Sequence, residues 1–243
     1  MKVLFAFGLL GSLLACSSPS VEPVQEAEPR ILVFYKTSGY YHASIPAGLV
    51  AIRQKASANG IQMDTTNNAA RFTPDGLQPY AAVVFLSTTG DVLAPQQQSA
   101  FERYIRSGRG FVGIHAATDS EYDWPWYNGL VGAYFNDHPA IQQATVRVVD
   151  KAHPATAVLP DAWTRTDEWY NFRNLHPGLK VLANLDESTY TGGNMGANHP
   201  IAWYHTYDGG RAFYTAGGHT AESFAEPLFM QHVMGGITYA VGN

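Results

Sequence analysis

The sequence predicts an α/β fold in which helices cover both faces of a mostly parallel sheet. Three observations predict this fold. Short apolar runs, typical of buried strands, recur through the first half of the chain. Two of the segments between these runs carry the start and stop signals of helices. The connections are short, and strands that alternate with helices over short connections form parallel sheets.

The elements of the first half follow from the apolar runs and their boundaries. Strands are predicted at 31–35, 61–65, 81–86 and 111–114. Helices are predicted at 44–58 and 95–107. Ser44 and Pro46 are typical of a helix start, while Asn59-Gly60 and Gly108 are typical of helix ends.

The second half contains fewer clear signals. Strands are predicted at 144–149 and 181–185, and a closing helix at 226–240. Asp208-Gly209-Gly210 lies between two further strand candidates, 203–207 and 211–215, and indicates a hairpin. Because the chain shows neither an internal repeat nor a second linker, we predict one folded domain over 30–243.

The N-terminal residues have the pattern of a secretory signal that ends in a lipidation site. Lys2 precedes an apolar run that is too short to span a bilayer. Leu13-Leu14-Ala15-Cys16 resembles the bacterial lipobox, in which the cysteine is lipidated and becomes the mature N-terminus. The alternative is an ordinary signal peptide with a chance cysteine. We predict a lipoprotein signal at 1–16, lipidated at Cys16, and a flexible Pro/Ser/Glu-rich tether at 17–29.

The predicted location is therefore the cell envelope of a Gram-negative bacterium, either facing the periplasm or on the outer membrane. A lipid anchor on Cys16 makes the membrane a partner without a membrane-spanning helix. The net charge of -5 and the lack of a long basic run argue against a nucleic-acid partner. Since Cys16 is the only cysteine, the chain has no intramolecular disulfide and no cysteine nucleophile in its folded part.

Six motifs together resemble the ThuA-like family, which is named for trehalose utilisation. They are GYYHASIPAG (39–48), FLSTTGDVL (85–93), GFVGIHAATDSEYDWPWYNGLVGAYF (110–135), TDEWYNF (166–172), HPIAWYH (199–205) and AGGHT (216–220). The resemblance covers residues 31–242. It implies a flavodoxin-like sheet of the class I glutamine amidotransferase type. It also implies a link to carbohydrate catabolism, in which family members neighbour oxidoreductases that make keto-sugars.

The candidate site lies beyond the carboxyl ends of the predicted strands, where ligands bind in such sheets. His115 follows the strand 111–114 at the turn where amidotransferases of this fold place their cysteine nucleophile. With no thiol there, glutamine hydrolysis through a thioester is excluded. An imidazole at this turn can act as a base, an oxyanion partner or a metal ligand.

We predict a histidine-centred site with His115, Glu168 and His219 as its catalytic residues. His42, His115 and His219 are candidate metal ligands, and Glu168 can add a carboxylate, a donor set that suits zinc or a similar divalent ion. A metal-free site with the same residues and purely structural histidines are the alternatives. His138, His153, His176 and His199 each precede proline, and we predict that they enter turns without a chemical role.

Aromatic and polar side chains near these groups are candidates for substrate binding, because a sugar needs ring faces for stacking and polar groups for its hydroxyls. The predicted substrate-binding residues are Tyr41, Thr89, Asp119, Trp124, Trp126, Trp169 and Tyr170. Core packing is the alternative for the aromatic residues, and a solvated acidic loop is the alternative for Asp119 and its acidic neighbours Glu121 and Asp123.

Two functions follow from these features. The first is an enzyme that acts on a small saccharide or keto-saccharide by elimination, isomerisation or hydrolysis. The second is a non-catalytic sugar-binding lipoprotein. Fold class does not decide between them.

Overall fold

The structure is a computed structural model, and it describes residues 1–4 and 28–242. Cys16 and the predicted tether up to residue 27 lie outside the described residues. Within the described part of the chain, no helix combines the length and the apolar character that crossing a bilayer requires.

The described residues form eleven strands and six α-helices. The strands are β1 (Arg30–Phe34), β2 (Gln62–Thr66), β3 (Ala82–Leu86), β4 (Gly110–Ile114), β5 (Tyr134–Asp137), β6 (Gln142–Val148), β7 (Ala162–Asp167), β8 (Asn171–Arg173), β9 (Lys180–Asp186), β10 (Pro200–Tyr207) and β11 (Gly210–Thr215). The helices are α1 (Ile45–Ala58), α2 (Pro74–Leu77), α3 (Pro95–Arg106), α4 (Pro125–Val131), α5 (Ala221–Ala225) and α6 (Pro227–Val241). The predicted elements of the first half agree with these bounds to within one residue at each end.

Nine of these strands form one mixed sheet in the order β2-β1-β3-β4-β11-β10-β9-β6-β7. The first five run parallel to one another. The hairpin turn between β10 and β11 reverses the chain, and the last four strands continue the sheet with antiparallel pairing. Strands β5 and β8 pair separately. The predicted α/β fold with a mostly parallel sheet is confirmed.

Helices cover both faces of the parallel part. On one face, the Phe111 ring of β4 packs against Phe101 of α3 and Tyr127 of α4. On the other face, α6 lies so close to β11 that a Cβ at Gly236 would be 2.2 Å from the Phe213 ring. Gly236 therefore permits the close approach of α6 to the sheet.

The strand β7 has no counterpart among the predicted elements. Its inward-facing side chains are Trp163, Arg165 and Asp167, which are buried, whereas the residues between them are exposed. Two of the three buried positions carry a charge, so the apolar alternation that predicts a strand is missing. The burial of Arg165 and Asp167 becomes possible because they pair with each other at 2.8 Å.

The antiparallel half of the sheet curls back towards the parallel half. Four reversals of direction separate β11 from β7, so both strands end at the same edge of the sheet. Asp167 at the end of β7 accepts a hydrogen bond from the Gly218 amide in the loop after β11, at 2.9 Å. Strands that are four positions apart in the sheet thus bring their carboxyl ends into contact.

Candidate functional site

His115 stands at a strained turn at the end of β4. Its φ of +51° is a left-handed conformation, which a residue with a side chain adopts at a cost of about 1–2 kcal/mol. The Tyr214 hydroxyl holds the turn by donating to the His115 carbonyl at 2.7 Å. The ring is fixed as well, since its Nδ1 donates to the Ala216 carbonyl at 2.8 Å. Nε2 is therefore the ring nitrogen that points away from Ala216 and towards the neighbouring side chains.

Side chains from four separate loops, including that of His115, come together around this nitrogen. His42 follows β1, His115 follows β4, Glu168 follows β7 and His219 follows β11. One donor atom from each lies within 4.8 Å of all the others. We call these four residues the donor cluster. It is almost closed to solvent, because His42, His115 and Glu168 are buried and His219 is partly buried.

Four of the six distances between donor atoms are close to those in a tetrahedral metal site, and the other two are no longer than 4.8 Å. His115 Nε2 lies 3.1 Å from His42 Nε2, 3.2 Å from His219 Nδ1 and 3.6 Å from Glu168 Oε2. His219 Nδ1 lies 2.9 Å from Glu168 Oε2. Ligands bound to zinc at about 2.0–2.1 Å in a tetrahedron are about 3.3 Å apart. The hydrogen bond from His115 Nδ1 to a backbone carbonyl is also the support that metal-binding histidines usually have.

The same atoms can be satisfied by protons. His42 Nε2 can donate to His115 Nε2, and His219 Nδ1 can donate to Glu168. The exception is His42 Nδ1, which is buried and has no hydrogen-bond partner among the described residues. The donor cluster could therefore hold a metal or a shared set of protons.

The charge states of the donor cluster favour a cation. Burial would raise the pKa of Glu168, but hydrogen bonds and charge from His115 and His219 outweigh burial and lower this pKa far below its usual range. Burial, together with the neighbouring His115 and His219, lowers the pKa of His42 to about 3. Glu168 is therefore ionised and His42 neutral at pH 7, which are the forms that bind metals. The hydrogen bond to Glu168 raises the pKa of His219, so a metal must displace a proton there.

A cavity of about 300 Å³ opens onto the donor cluster. Its lining residues are Tyr40, His42, Asp119, Phe135, His138, Glu168, Tyr170 and His219. A larger cavity of about 400 Å³ lies beside the edge strand β2, between Arg53 and Arg71. Neither this cavity nor one of about 530 Å³ beside Lys36 and Asn67 is lined by a cluster of metal-binding donors among the described residues, so we place the candidate functional site at the 300 Å³ cavity by its chemistry.

Comparison with known proteins agrees with this fold. The sequence profile of the ThuA family, described as trehalose utilisation, matches residues 30–240. The chain belongs to the ThuA family. No curated protein sequence matches it.

Solved structures share the ThuA-like fold. A ThuA-like protein from Bacteroides uniformis is 21% identical, with a TM-score of 0.76, and the match covers 92% of this chain and 95% of that one. A second from Parabacteroides merdae is 20% identical, with a TM-score of 0.75, over 88% of this chain and 90% of that one. A β-galactosidase from Bacillus circulans sp. alkalophilus is 13% identical, with a TM-score of 0.58. There the match covers 88% of this chain but only 31% of the enzyme, and it concerns the fold alone.

The tryptophans predicted to bind substrate do not line the cavity of this ThuA family member; Trp124 and Trp169 are buried in the core, and Trp126 packs against it partly exposed. Trp169 is fully buried, and its indole nitrogen donates to the Gln142 carbonyl. Trp124 stacks on Trp126, and the two indole nitrogens donate to Glu102 and Asp208 respectively. Core packing, the alternative considered from the sequence, accounts for the positions of all three.

Of the four remaining residues predicted to bind substrate, two line the cavity and two do not. Asp119 and Tyr170 line the cavity. Tyr41 is 54% exposed and lies outside the lining, whereas its neighbour Tyr40 is part of it. Thr89 is buried and donates to the Tyr40 carbonyl at 2.8 Å, so it supports the loop that carries Tyr40 and His42.

Some residues take positions that the sequence did not indicate. His138, interpreted as a turn entry, lines the cavity with Nδ1 only 3.1 Å from Glu168 Oε1. Phe135 lies on β5, a short strand without a clear apolar pattern. Glu121, an acidic neighbour of Asp119 in the sequence, accepts hydrogen bonds from the Val92 and Leu93 amides and supports the loop before α3. No local pattern separates His138 from the other histidines that precede proline.

Proposed function

We propose that this ThuA family member is a metal-dependent enzyme that acts on a small saccharide carrying a carbonyl group. The donor cluster at the base of the cavity carries the proposal. Three imidazoles and one carboxylate, with donor atoms within 4.8 Å of one another and a cavity beside them, supply the ligand types of a catalytic zinc site, which keeps one position open for water or substrate.

His42, His115, His219 and Glu168 would hold the metal, with zinc as the first candidate. When bound, such an ion acts as a Lewis acid that polarises a carbonyl. Glu168 also contacts His138 at 3.1 Å, so His138 would help to orient this carboxylate.

The cavity walls supply the remaining groups. Tyr40, Phe135 and Tyr170 offer ring faces for a sugar. Asp119 is the proton acceptor in this proposal. Burial raises the pKa of Asp119, against the hydrogen bond from Tyr122, and a carboxyl with a raised pKa is better suited to general acid–base work near neutral pH. Asp119 would take the proton from the carbon beside the carbonyl. Return of this proton to the neighbouring position would complete an isomerisation, and its transfer to a departing group would complete an elimination.

The family's link to trehalose utilisation supports a saccharide as substrate. Keto-saccharides suit the site best because they contain the carbonyl that a metal can polarise. We also propose that the protein is attached to the bacterial envelope through a lipid on Cys16, on the strength of the lipobox pattern alone.

Metal content tests the proposal. The purified full chain, exposed to zinc and then freed of excess, is expected to retain about one ion. His115→Ala and His219→Ala should each lose it, while His176→Ala, a histidine outside the cavity, should retain it. Keto-disaccharides are then offered to the zinc-loaded protein and the products followed by NMR, with Asp119→Asn as the variant expected to keep the metal and lose turnover.

Absence of bound metal under these conditions would overturn the metal-dependent function. Binding of saccharides by isothermal calorimetry, unchanged in His115→Ala and without turnover, would instead support the sugar-binding lipoprotein.

A further inference from the structure

We propose that Asp167 is a positioning residue, which sets the geometry of the donor cluster by holding the backbones of Glu168 and His219 at a fixed distance from each other. This inference rests on the proposed function for its chemical meaning, because it concerns the same cluster. Asp167 itself does not line the cavity, and its carboxylate touches no donor atom of the cluster in the described contacts.

One oxygen of Asp167 joins the two segments that carry these donors. Its Oδ1 accepts the backbone amide of Glu168 at 3.0 Å and the backbone amide of His219 at 3.1 Å. Glu168 follows β7 and His219 follows β11, so these segments lie far apart in the sheet order. Both hydrogen bonds end on the same atom, and any shift of that atom changes the spacing of the two donors.

The second oxygen fixes the carboxylate itself. Oδ2 accepts from the Gly218 amide at 2.9 Å, from Ser223 Oγ at 2.9 Å and from Arg165 Nη1 at 2.8 Å. Asp167 is fully buried, so no water competes for these bonds. Five donors therefore determine where the carboxylate lies, and three of them belong to Gly218, His219 and Glu168.

Arg165 supplies the countercharge and is itself held in place. Its Nε donates to Glu226 Oε2 at 2.9 Å, and its guanidinium lies over the Phe229 ring at 4.6 Å. Gly217 permits this approach, because a Cβ there would be 2.7 Å from Arg165 Nη1. The buried ion pair thus anchors the loop 216–220 to the end of β7.

A ligand supported in this way is sensitive to loss of its support. Groups that orient metal ligands typically account for about 10–100-fold in metal affinity. Asp167→Asn keeps the shape of the side chain but replaces one acceptor oxygen with an NH2 group, which cannot accept a hydrogen bond. Depending on which oxygen is replaced, either the two backbone amides on Oδ1 or the three donors on Oδ2 lose their acceptor. Glu226→Gln is the matched control, because Glu226 contacts the same arginine but neither Gly218, His219 nor Glu168.

The first readout needs no metal. In chelator-treated full-length protein, NMR measures the nuclear Overhauser effect between ring protons of His115 and His219, whose ring centres are 5.1 Å apart. Asp167→Asn should weaken this effect while circular dichroism stays native, and Glu226→Gln should leave it unchanged. The second readout is zinc affinity, together with the absorption of tetrahedral cobalt(II), for which we expect a 10–100-fold loss in Asp167→Asn only.

The outcomes separate this inference from the proposed function. An unchanged ring-to-ring effect in folded Asp167→Asn overturns the positioning role. A weakened effect in a protein whose wild type binds no metal supports the positioning role and overturns the metal-dependent function. If Asp167→Asn does not fold, Ser223→Ala decides, since it removes one bond to Oδ2 and leaves the buried charge pair in place; an unchanged effect there overturns the inference.

Discussion

Replacement of Tyr214 by phenylalanine should loosen the turn that displays His115. The Tyr214 hydroxyl is fully buried, donates to the His115 carbonyl at 2.7 Å and lies 3.1 Å from Thr118 Oγ1. The substitution keeps the ring, which stacks on Trp203 at 4.4 Å, and removes only the oxygen. The buried carbonyl then keeps one weak contact, Thr118 Oγ1 at 3.4 Å.

The expected loss of stability follows from these two hydrogen bonds. A buried polar group left without its partner costs about 1–3 kcal/mol. The left-handed backbone at His115 costs about 1–2 kcal/mol in the wild type as well, so this strain does not add to the loss, and relaxation of the turn in the variant would offset part of it. We expect the free energy of unfolding to fall by about 2 kcal/mol, which lowers the melting temperature of a domain of this size by about 4–8 °C.

Calorimetry measures the melting temperature, and zinc titration measures the effect on the site. Tyr204→Phe is the matched control, since the Tyr204 hydroxyl makes no hydrogen bond with the described residues and its ring packs on Tyr239. The control should melt close to the wild type. If Tyr214→Phe has the melting temperature and the zinc affinity of the wild type, the prediction is wrong and the hydroxyl does not hold the turn.

Three further predictions follow from other parts of the molecule. Burial lowers the pKa of His232 from 6.5 to about 4. The stability that depends on its neutral form is fully present above pH 6.5 and is lost as the pH falls through about 4. Urea titrations measure the free energy of unfolding at each pH. Between pH 6.5 and pH 4, this free energy should fall by up to about 3 kcal/mol less in His232→Leu than in the wild type. Gly110→Ala places a Cβ 2.2 Å from the Ala240 carbonyl oxygen of α6, and should destabilise the protein by about 1–3 kcal/mol in urea unfolding. Gly39→Ala, with its nearest contact at 3.4 Å, is the control, and equal stabilities would contradict the close helix packing. Zinc at a free concentration 100 times its Kd should raise the unfolding free energy by about 2.7 kcal/mol, reversibly with chelator. A zinc-induced rise of the same size in His115→Ala would place the bound ion elsewhere.

The parallel half of the sheet was predictable because its signals are local. Each of β1, β3 and β4 is an apolar run with polar residues on either side, and the helices between them carry start and stop residues. Parallel strands end at one edge of a sheet, so the convergence of His42 and His115 follows from their positions after β1 and β4. The third histidine, His219, follows β11, which the hairpin signal at Asp208-Gly209-Gly210 indicated.

The lining of the cavity was less predictable, because it depends on the direction of individual side chains. Tyr40 and Tyr41 are neighbours of the same type, and only Tyr40 faces the cavity. Trp124 and Trp126 occur beside acidic residues in the sequence, yet both pack against other parts of the chain. Composition and proximity in sequence do not report the direction of a side chain.

The sequence by itself determined the α/β class, the family and the place of His115 at the end of a buried strand, because these depend on residue order and local periodicity. Glu168 was predicted as the carboxylate beside the three histidines, but only the tertiary structure shows that it reaches them and that His138 lines the cavity. The position of Glu168 depends on the curl of the antiparallel strands, which brings the end of β7 against the loop after β11. The position of His138 depends on β5, which pairs with β8 outside the large sheet. The contacts that hold this curl include the buried pair of Arg165 and Asp167. Because both charged residues lie at buried positions of β7, hydrophobic periodicity does not predict this strand. Long-range pairing of this kind leaves no periodic signal along the chain.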